Sequence, residues 1–226
     1  LEGAQITANN IRVEASKFVF DYVGAVEIKN LHLALPGFHN VENALAAITA
    51  ALDRGVGPDF IKEAIESYRG VKRRFEFILD RSDLVYIDDY AHHPNEIAAL
   101  LKSAKKLYPE KKITVVFQPH LFSRTRDFYQ EFAEKLSLAD EVIMLDIYPA
   151  REQPIPGVDA HLILDRITQV NKKMASLNDF PTILNASNVE VLLTVGAGSI
   201  DTLVPIIKSL SSTYILLSTQ TKKSGS

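Results

Sequence analysis

Leu84-Val85-Tyr86-Ile87-Asp88-Asp89-Tyr90-Ala91-His92-His93-Pro94 is an apolar run that breaks abruptly into a polar cluster. Ile113-Thr114-Val115-Val116-Phe117 repeats the pattern and is followed by Gln118-Pro119-His120-Leu121-Phe122-Ser123-Arg124-Thr125-Arg126. β-Branched runs of this length predict strands over 84–88 and 113–117, and the segment between them, 95–108, reads as a helix. Strand, helix, strand in that order predicts a parallel pair joined by a crossover. Ligands of open α/β sheets gather beyond the carboxyl ends of the strands, so the two polar clusters mark an active-site edge.

The same alternation continues toward the C-terminus. Helix 126–138, strand 141–145, helix 159–170, strands near 182–184 and at 191–195, and helix 199–210 follow in turn. The predicted fold class is α/β, a Rossmann-like, doubly wound and mostly parallel sheet. Toward the N-terminus the rhythm changes. Gln5 to Val13, Lys17 to Val23 and Ala25 to Leu35 read as an antiparallel β segment, with Asn9-Asn10 and Gly24 as turns. Pro36-Gly37 ends it, Asn40 is expected to cap a helix over 43–52, and Pro58 opens a second helix to Tyr68. Gly70 to Lys72 is the candidate boundary, giving 1–72, 73–211 and a flexible tail at 212–226.

Composition narrows the function classes. At 226 residues and 46% hydrophobic the chain can bury a substantial core, and a net charge of −3 gives no basic face for nucleic acid. No cysteine is present, which excludes disulfides and thiolate metal sites and is compatible with a cytoplasmic location. No apolar run reaches the ~18 residues of a membrane helix, and no signal pattern opens the chain. The chain begins at Leu1, in strand-like sequence, which leads us to expect a piece of something longer.

Asp88 and Asp89 close a strand, where a carboxylate can accept ribose hydroxyls. His92 and His93 lie at a helix entrance, where N–H groups favour anions. Adjacent histidines diverge in extended chain, so no zinc centre is expected from them and no metal ligand is assigned. His120, Ser123, Arg124 and Arg126 form a second donor-rich loop suited to phosphate or carboxylate, although Ser123 or Thr125 could equally cap the next helix. Arg73-Arg74-Phe75 at the boundary places an arginine within reach of a nucleotide. Asn40 and Asn43 stand one turn apart on a helix face and could read an adenine edge, or simply cap. A third strand-end loop runs from Asp146 through Tyr148-Pro149-Ala150-Arg151-Glu152, and Gly196-Ala197-Gly198-Ser199 would allow close approach of a ligand.

Taken in order, Gly37-Phe38-His39-Asn40-Val41-Glu42-Asn43, Arg73-Arg74-Phe75, Asp89-Tyr90-Ala91-His92-His93-Pro94, the Gln118 to Thr125 loop and Asp146 to Glu152 resemble the Mur ligases, closest to the branch that adds L-alanine. The resemblance covers about residues 30 to 210. It implies the end of a central ATPase domain followed by a C-terminal Rossmann-like domain. It also implies an ATP- and Mg2+-dependent ligase that joins L-alanine to UDP-N-acetylmuramate through an acyl phosphate, working with N-terminal domains of the same chain. By that pattern His39, Asn40 and Asn43 would contact adenine, Arg74 and Asp89 the ribose and nearby phosphate, and Tyr90 would flank the nucleotide. His92, His120 and Arg124 would be the catalytic set at the muramate and alanine end. Leu121 departs from an arginine found here in some relatives, and Arg126 or Arg151 is the expected substitute. No Gly-x-x-x-x-Gly-Lys-Ser/Thr occurs in the sequence, so these residues alone are expected to be inactive. The rival readings are a murein tripeptide ligase with the same chemistry, a receiver-like module with an acidic pocket at Asp88-Asp89, and a histidine-based metal hydrolase.

Overall fold

In the computed structural model the described residues are 5–14, 17–35, 37–168, 171–180 and 188–209. They divide into two compact units, Leu1–Phe75 with Ala99–Glu110, and Glu76–Ala98 with Lys111–Ser226.

The first unit contains an antiparallel meander, β1 (Thr7–Glu14), β2 (Lys17–Val23) and β3 (Glu27–Leu33), with β2 in the middle. Phe18, Val19, Phe20, Tyr22, Leu31 and Leu33 are buried. Asn9-Asn10 does not turn the chain. β1 runs through it with a register irregularity, Asn10 at φ 53, and Asn30 on β3 has the same φ. Asp21 fastens both: Asn10 Nδ2 donates to its Oδ2 at 2.6 Å and the Asn30 N–H to its Oδ1 at 2.8 Å. Two helices follow, α1 (Phe38–Asp53) and α2 (Pro58–Ser67). α1 starts earlier than its expected cap. Gly37, at φ 113, is the N-cap and Asn40 lies inside the first turn.

The second unit is built on six strands: β4 (Glu76–Asp80), β5 (Val85–Asp89), β6 (Ile113–Phe117), β7 (Glu141–Met144), β8 (Asn171–Met174) and β9 (Val191–Val195). Their order is β4-β5-β9-β6-β7-β8, parallel throughout except for β4, which pairs antiparallel with β5. The observed fold is therefore α/β with a mostly parallel sheet. Every residue of β5, β6, β7 and β9 is buried, which is why these strands read as mainly apolar runs, interrupted by Asp88-Asp89 at the end of β5, Glu141 at the start of β7 and the threonines Thr114 and Thr194. Helix α3 (Pro94–Leu107) connects β5 to β6, and α4 (Phe122–Leu136) connects β6 to β7. One cluster packs Tyr86, Val116, Ile143 and Leu192 against Phe180, Ile200, Leu203 and Ile207. Phe117 of β6 and Phe132 of α4 form another contact, with ring centroids 5.4 Å apart.

β9 is the last strand in the chain, yet it lies between β5 and β6. Parallel direction then brings the loops after β5, β6, β7 and β9 to one edge of the sheet. The ladder continues into them: Gln118 N donates to Val195 O at 3.0 Å, Leu145 N to Phe117 O at 2.9 Å and Gly196 N to Asp89 O at 3.1 Å.

Four further expectations change. α4 begins at Phe122, so Ser123 and Arg124 belong to its first turn and not to a loop. The helix expected over 159–170 is cut to α5 (His161–Leu164). Residues 199–210 begin as a 3-10 turn, Ser199–Thr202, and become α-helical over 203–209. The edge strands β4 and β8 were not anticipated. The expected strand at 182–184 and tail at 212–226 lie outside the described residues.

Candidate active site

The loop after β5 is held by its own carboxylates. Asp88 is 1% exposed and turned into the sheet, where Thr194 Oγ1 donates to its Oδ1 at 2.6 Å and Tyr86 OH lies 3.1 Å from Thr194 Oγ1. Thr194 has one hydroxyl proton and spends it on Asp88, so Tyr86 donates to Thr194. Asp88 is thus a structural acid and not a ribose ligand. Asp89 Oδ1 accepts the Ala91 N–H at 2.7 Å, which bends the chain toward His92.

Glu96, in the first turn of α3, reaches back to accept the N–H groups of His92 (2.9 Å) and His93 (3.1 Å) on one oxygen. This is the glutamate half of a capping box, and it fixes the backbone under both imidazoles. Burial, the largest influence on Glu96, pushes its carboxyl up, but these N–H donors and the neighbouring imidazoles bring it below the ordinary value.

The two imidazoles of interest are locked in opposite tautomers. His92 Nδ1 lies 2.9 Å from Tyr90 O; a carbonyl can only accept, so Nδ1 carries the proton and the neutral ring keeps Nε2 as acceptor. His120 Nδ1 lies 3.2 Å from Arg124 Nη1; a guanidinium can only donate, so here Nδ1 accepts and Nε2 carries the proton. The ring centroids are 6.2 Å apart. Burial, then Arg124, then His92 hold His120 below the ordinary histidine value, while Glu152 acts in the opposite sense. His93, edge-on to Phe128, is lowered by burial, Arg124 and His92 in that order.

The β7 loop frames His120 from the other side. Tyr148 stacks on the His120 ring, with centroids 5.8 Å apart and planes within 17°. Glu152 accepts the Ser123 N–H at 2.9 Å and the Ser123 hydroxyl; those two donors, assisted by Arg124, keep its carboxyl below the ordinary value. The glycines after β9 make room for protein and not for a ligand: Gly198 abuts Tyr148 and Gln118, and Gln118 Oε1 accepts the Ile200 N–H at 2.9 Å.

Within the second unit, then, His92, His120 and Arg124 come together, with Asp89 and Tyr90 immediately before them in the chain. Within the first, Asn43 Nδ2 donates to Asn40 Oδ1 at 3.4 Å, so the two amides do share a helix face. Arg74 lies in a turn between two residues of positive φ, Arg73 (59) and Phe75 (47), and its N–H donates to Val71 O at 3.2 Å. His39 is in α1, and its side chain lies outside the described residues. Glu96 was not singled out from the sequence, and Tyr148 and Glu152 were read only as members of the third strand-end loop, without a role of their own. Glu96 carried a signal, an acid two residues after Pro94 at a helix start; the other two act across loops distant in sequence.

Comparison with known proteins gives the following. A family model described as Mur ligase, glutamate ligase domain, matches residues 73–198. The UDP-N-acetylmuramate–L-alanine ligase of Cytophaga hutchinsonii is 51% identical over 181 residues, 80% of this chain and 39% of that protein. The ligase of the same name from Flavobacterium johnsoniae is 47% identical over 210 residues, 92% of this chain and 47% of that protein. Among solved structures, the UDP-N-acetylmuramate–alanine ligase of Thermotoga maritima is similar with a TM-score of 0.77 at 30% identity, covering 94% of this chain and 47% of that one. The chain spans about half the length of the curated relatives it matches.

Proposed function

The chain belongs to the Mur ligase family, and from that premise we propose that the intact protein joins L-alanine to UDP-N-acetylmuramate at the expense of ATP. The observation that carries the reading is the cluster of His92 and His120, in strand-end loops, with Arg124 of the first turn of α4, in a chain 46 and 51% identical to two alanine-adding ligases. In the first step the lactyl carboxylate takes the γ-phosphoryl group of ATP and ADP leaves. In the second the amine of L-alanine attacks the acyl carbon, the C–N bond forms, phosphate leaves and the amine loses a proton.

Both steps gather negative charge, so catalysis is mainly positioning and electrostatic stabilisation. Arg124 offers a planar fork to a carboxylate or phosphate oxygen. The Nε2–H of His120 is a further donor, and burial and Arg124 disfavour the cation of that ring. His92, with Nε2 as acceptor, is suited to take the proton released by the incoming amine. We assign the nucleotide contacts by the family pattern to His39, Asn40, Asn43, Arg74, Asp89 and Tyr90. Among the described residues no group of three His, Asp or Glu is placed to hold a metal ion. By the family reading most ligands of the Mg2+ it implies lie outside these residues, and no step here runs through it. No phosphate loop occurs in the sequence, so the 226 residues alone are expected to release no ADP. Among the described residues no helix is long and apolar enough to cross a membrane.

The test is ADP release by the intact protein with UDP-N-acetylmuramate and L-alanine, murein tripeptide or no amine. Release should require L-alanine and fall about 100-fold or more in Arg124→Ala, the scale of losing one transition-state donor. Turnover only with the tripeptide would move the protein to another branch of the family. A folded intact protein that consumes no ATP would end the ligase reading.

A further inference from the structure

Helix α4 has no cap of its own. Its N-cap, Leu121, sits at φ 75 and ψ 135 and makes no side-chain cap bond. A leucine there is strained backbone that persists only where the surroundings enforce it. The loop after β7 does so on both sides. Ahead of Leu121, Tyr148 N donates to Pro119 O at 2.8 Å, Leu121 N donates to Tyr148 O at 3.0 Å, and the His120 ring stacks on Tyr148. Beyond it, the Ser123 N–H and hydroxyl both close on the Glu152 carboxylate. The residue after Ser123 is Arg124, whose guanidinium meets His120.

We infer that Glu152 is a positioning residue: its carboxylate fixes the first turn of α4 so that Arg124 meets His120, and its charge offsets the Arg124 guanidinium beside that imidazole. A carboxylate at a helix N-terminus stabilises any helix, and that alone would account for the Ser123 bonds. The surroundings of His120 separate the two readings. The charged and titratable groups that act on it are Arg124 from α4, His92 from the β5 loop and Glu152 from the β7 loop. The first two oppose an imidazolium, as burial does more strongly, and Glu152, the smallest of these influences, favours it, so a carboxylate at this place acts on His120 as well as on the geometry of α4.

The inference rests on the reading of His120 and Arg124 as the alanine end of the site, and its test has one arm independent of that reading. In the intact protein, Glu152→Gln keeps an oxygen for the Ser123 N–H but removes the charge, Glu152→Ala removes both, and Ser123→Ala keeps the charge while loosening the grip. The His120 imidazole is followed by NMR in ring-labelled protein, its resonance assigned with His120→Gln, beside KM and kcat for L-alanine. Glu152→Gln should make His120 titrate at lower pH, while Glu152→Ala should lower kcat/KM for L-alanine roughly 10- to 100-fold, the cost of a misplaced contact. An unmoved His120 titration, with activity lost only in proportion to thermal stability across the variants, would reduce Glu152 to a cap and overturn the inference. If the wild-type protein does not use L-alanine the functional reading fails, and the His120 titration in Glu152→Gln still decides the role of Glu152.

Discussion

Gly198 stands where a side chain would collide with two neighbours. A Cβ there would lie 2.5 Å from Gln118 Oε1 and 2.6 Å from both Cβ and Cγ of Tyr148. Its φ of −93 is open to any residue, so the constraint is space and not backbone freedom. Gly198→Ala should therefore displace Tyr148 from the His120 ring, or break the Gln118 bond to the Ile200 N–H, at a cost of about 1–3 kcal/mol. A urea midpoint matching wild type would show that the loop yields without penalty. At this scale the sequence was partly legible. The Gly-Ala-Gly-Ser segment announced a close approach, but what approaches is Gln118 and Tyr148, brought in from other strands. Asp88 and Asp89 were both legible as strand-end acids. That Asp88 turns inward to Thr194 depends on β9 lying beside β5, which no local pattern contains.

Elements with strong periodicity and buried strands were legible, and those decided by tertiary partners were not. β5, β6 and β9 were placed within a residue because all their positions are buried and, apart from Asp88 and Asp89 at the end of β5, apolar or β-branched. β4 and β8 escaped because they are edge strands without a buried run: β8 is polar, Asn171-Lys172-Lys173-Met174, and β4, Glu76-Phe77-Ile78-Leu79-Asp80, is only half-buried. α5 shows the same effect in a helix. Its apolar pattern continues beyond Leu164, but Lys172 Nζ, on β8, donates to Leu164 O at 2.9 Å, Asp165 O at 3.1 Å and Ile167 O at 2.8 Å. One ammonium gathers the terminal carbonyls and ends the helix. Lys172→Met keeps the aliphatic stem and removes the donors, which should cost about 1–2 kcal/mol. It should also speed amide exchange of residues 163–167 while leaving that of β6 unchanged. Unchanged exchange at 163–167 would mean that the carbonyls are satisfied equally well by solvent. The early start of α4 has a parallel origin, since its cap is Glu152 of another loop and not Ser123 or Thr125.

For the whole molecule, falling pH meets two sets of groups that act with the same sign. Asp21, Glu96, Glu141 and Glu152 are held below their ordinary values. For Glu141, burial as the largest influence pushes the carboxyl up, and Lys112 and Lys173 overcome it. Each such carboxylate contributes stability above its unfolded value, and that stability is lost as pH falls through the folded one. His93 and His120 are also lowered, but for a histidine this means that the unfolded chain takes up the proton first. Their contribution is complete above the ordinary value of 6.5 and shrinks as pH falls below it. Stability should therefore hold near neutral pH, decline first below 6.5 through the histidines, and decline again below the ordinary glutamate value of 4.5. Because the chain has two compact units, a single unfolding midpoint would mix them, and residue-level exchange is the proper measurement. The first decline should appear in the amides of β6 and β9, which belong to the unit that holds His93 and His120. His120→Gln, which cannot be protonated, should shrink it. Exchange in β6 and β9 that slows on going from pH 7 to 5.5, after correction for the intrinsic pH dependence of exchange, would contradict the lowered basicity of both imidazoles. It would also remove the ground for treating His120 as a neutral donor in the reaction.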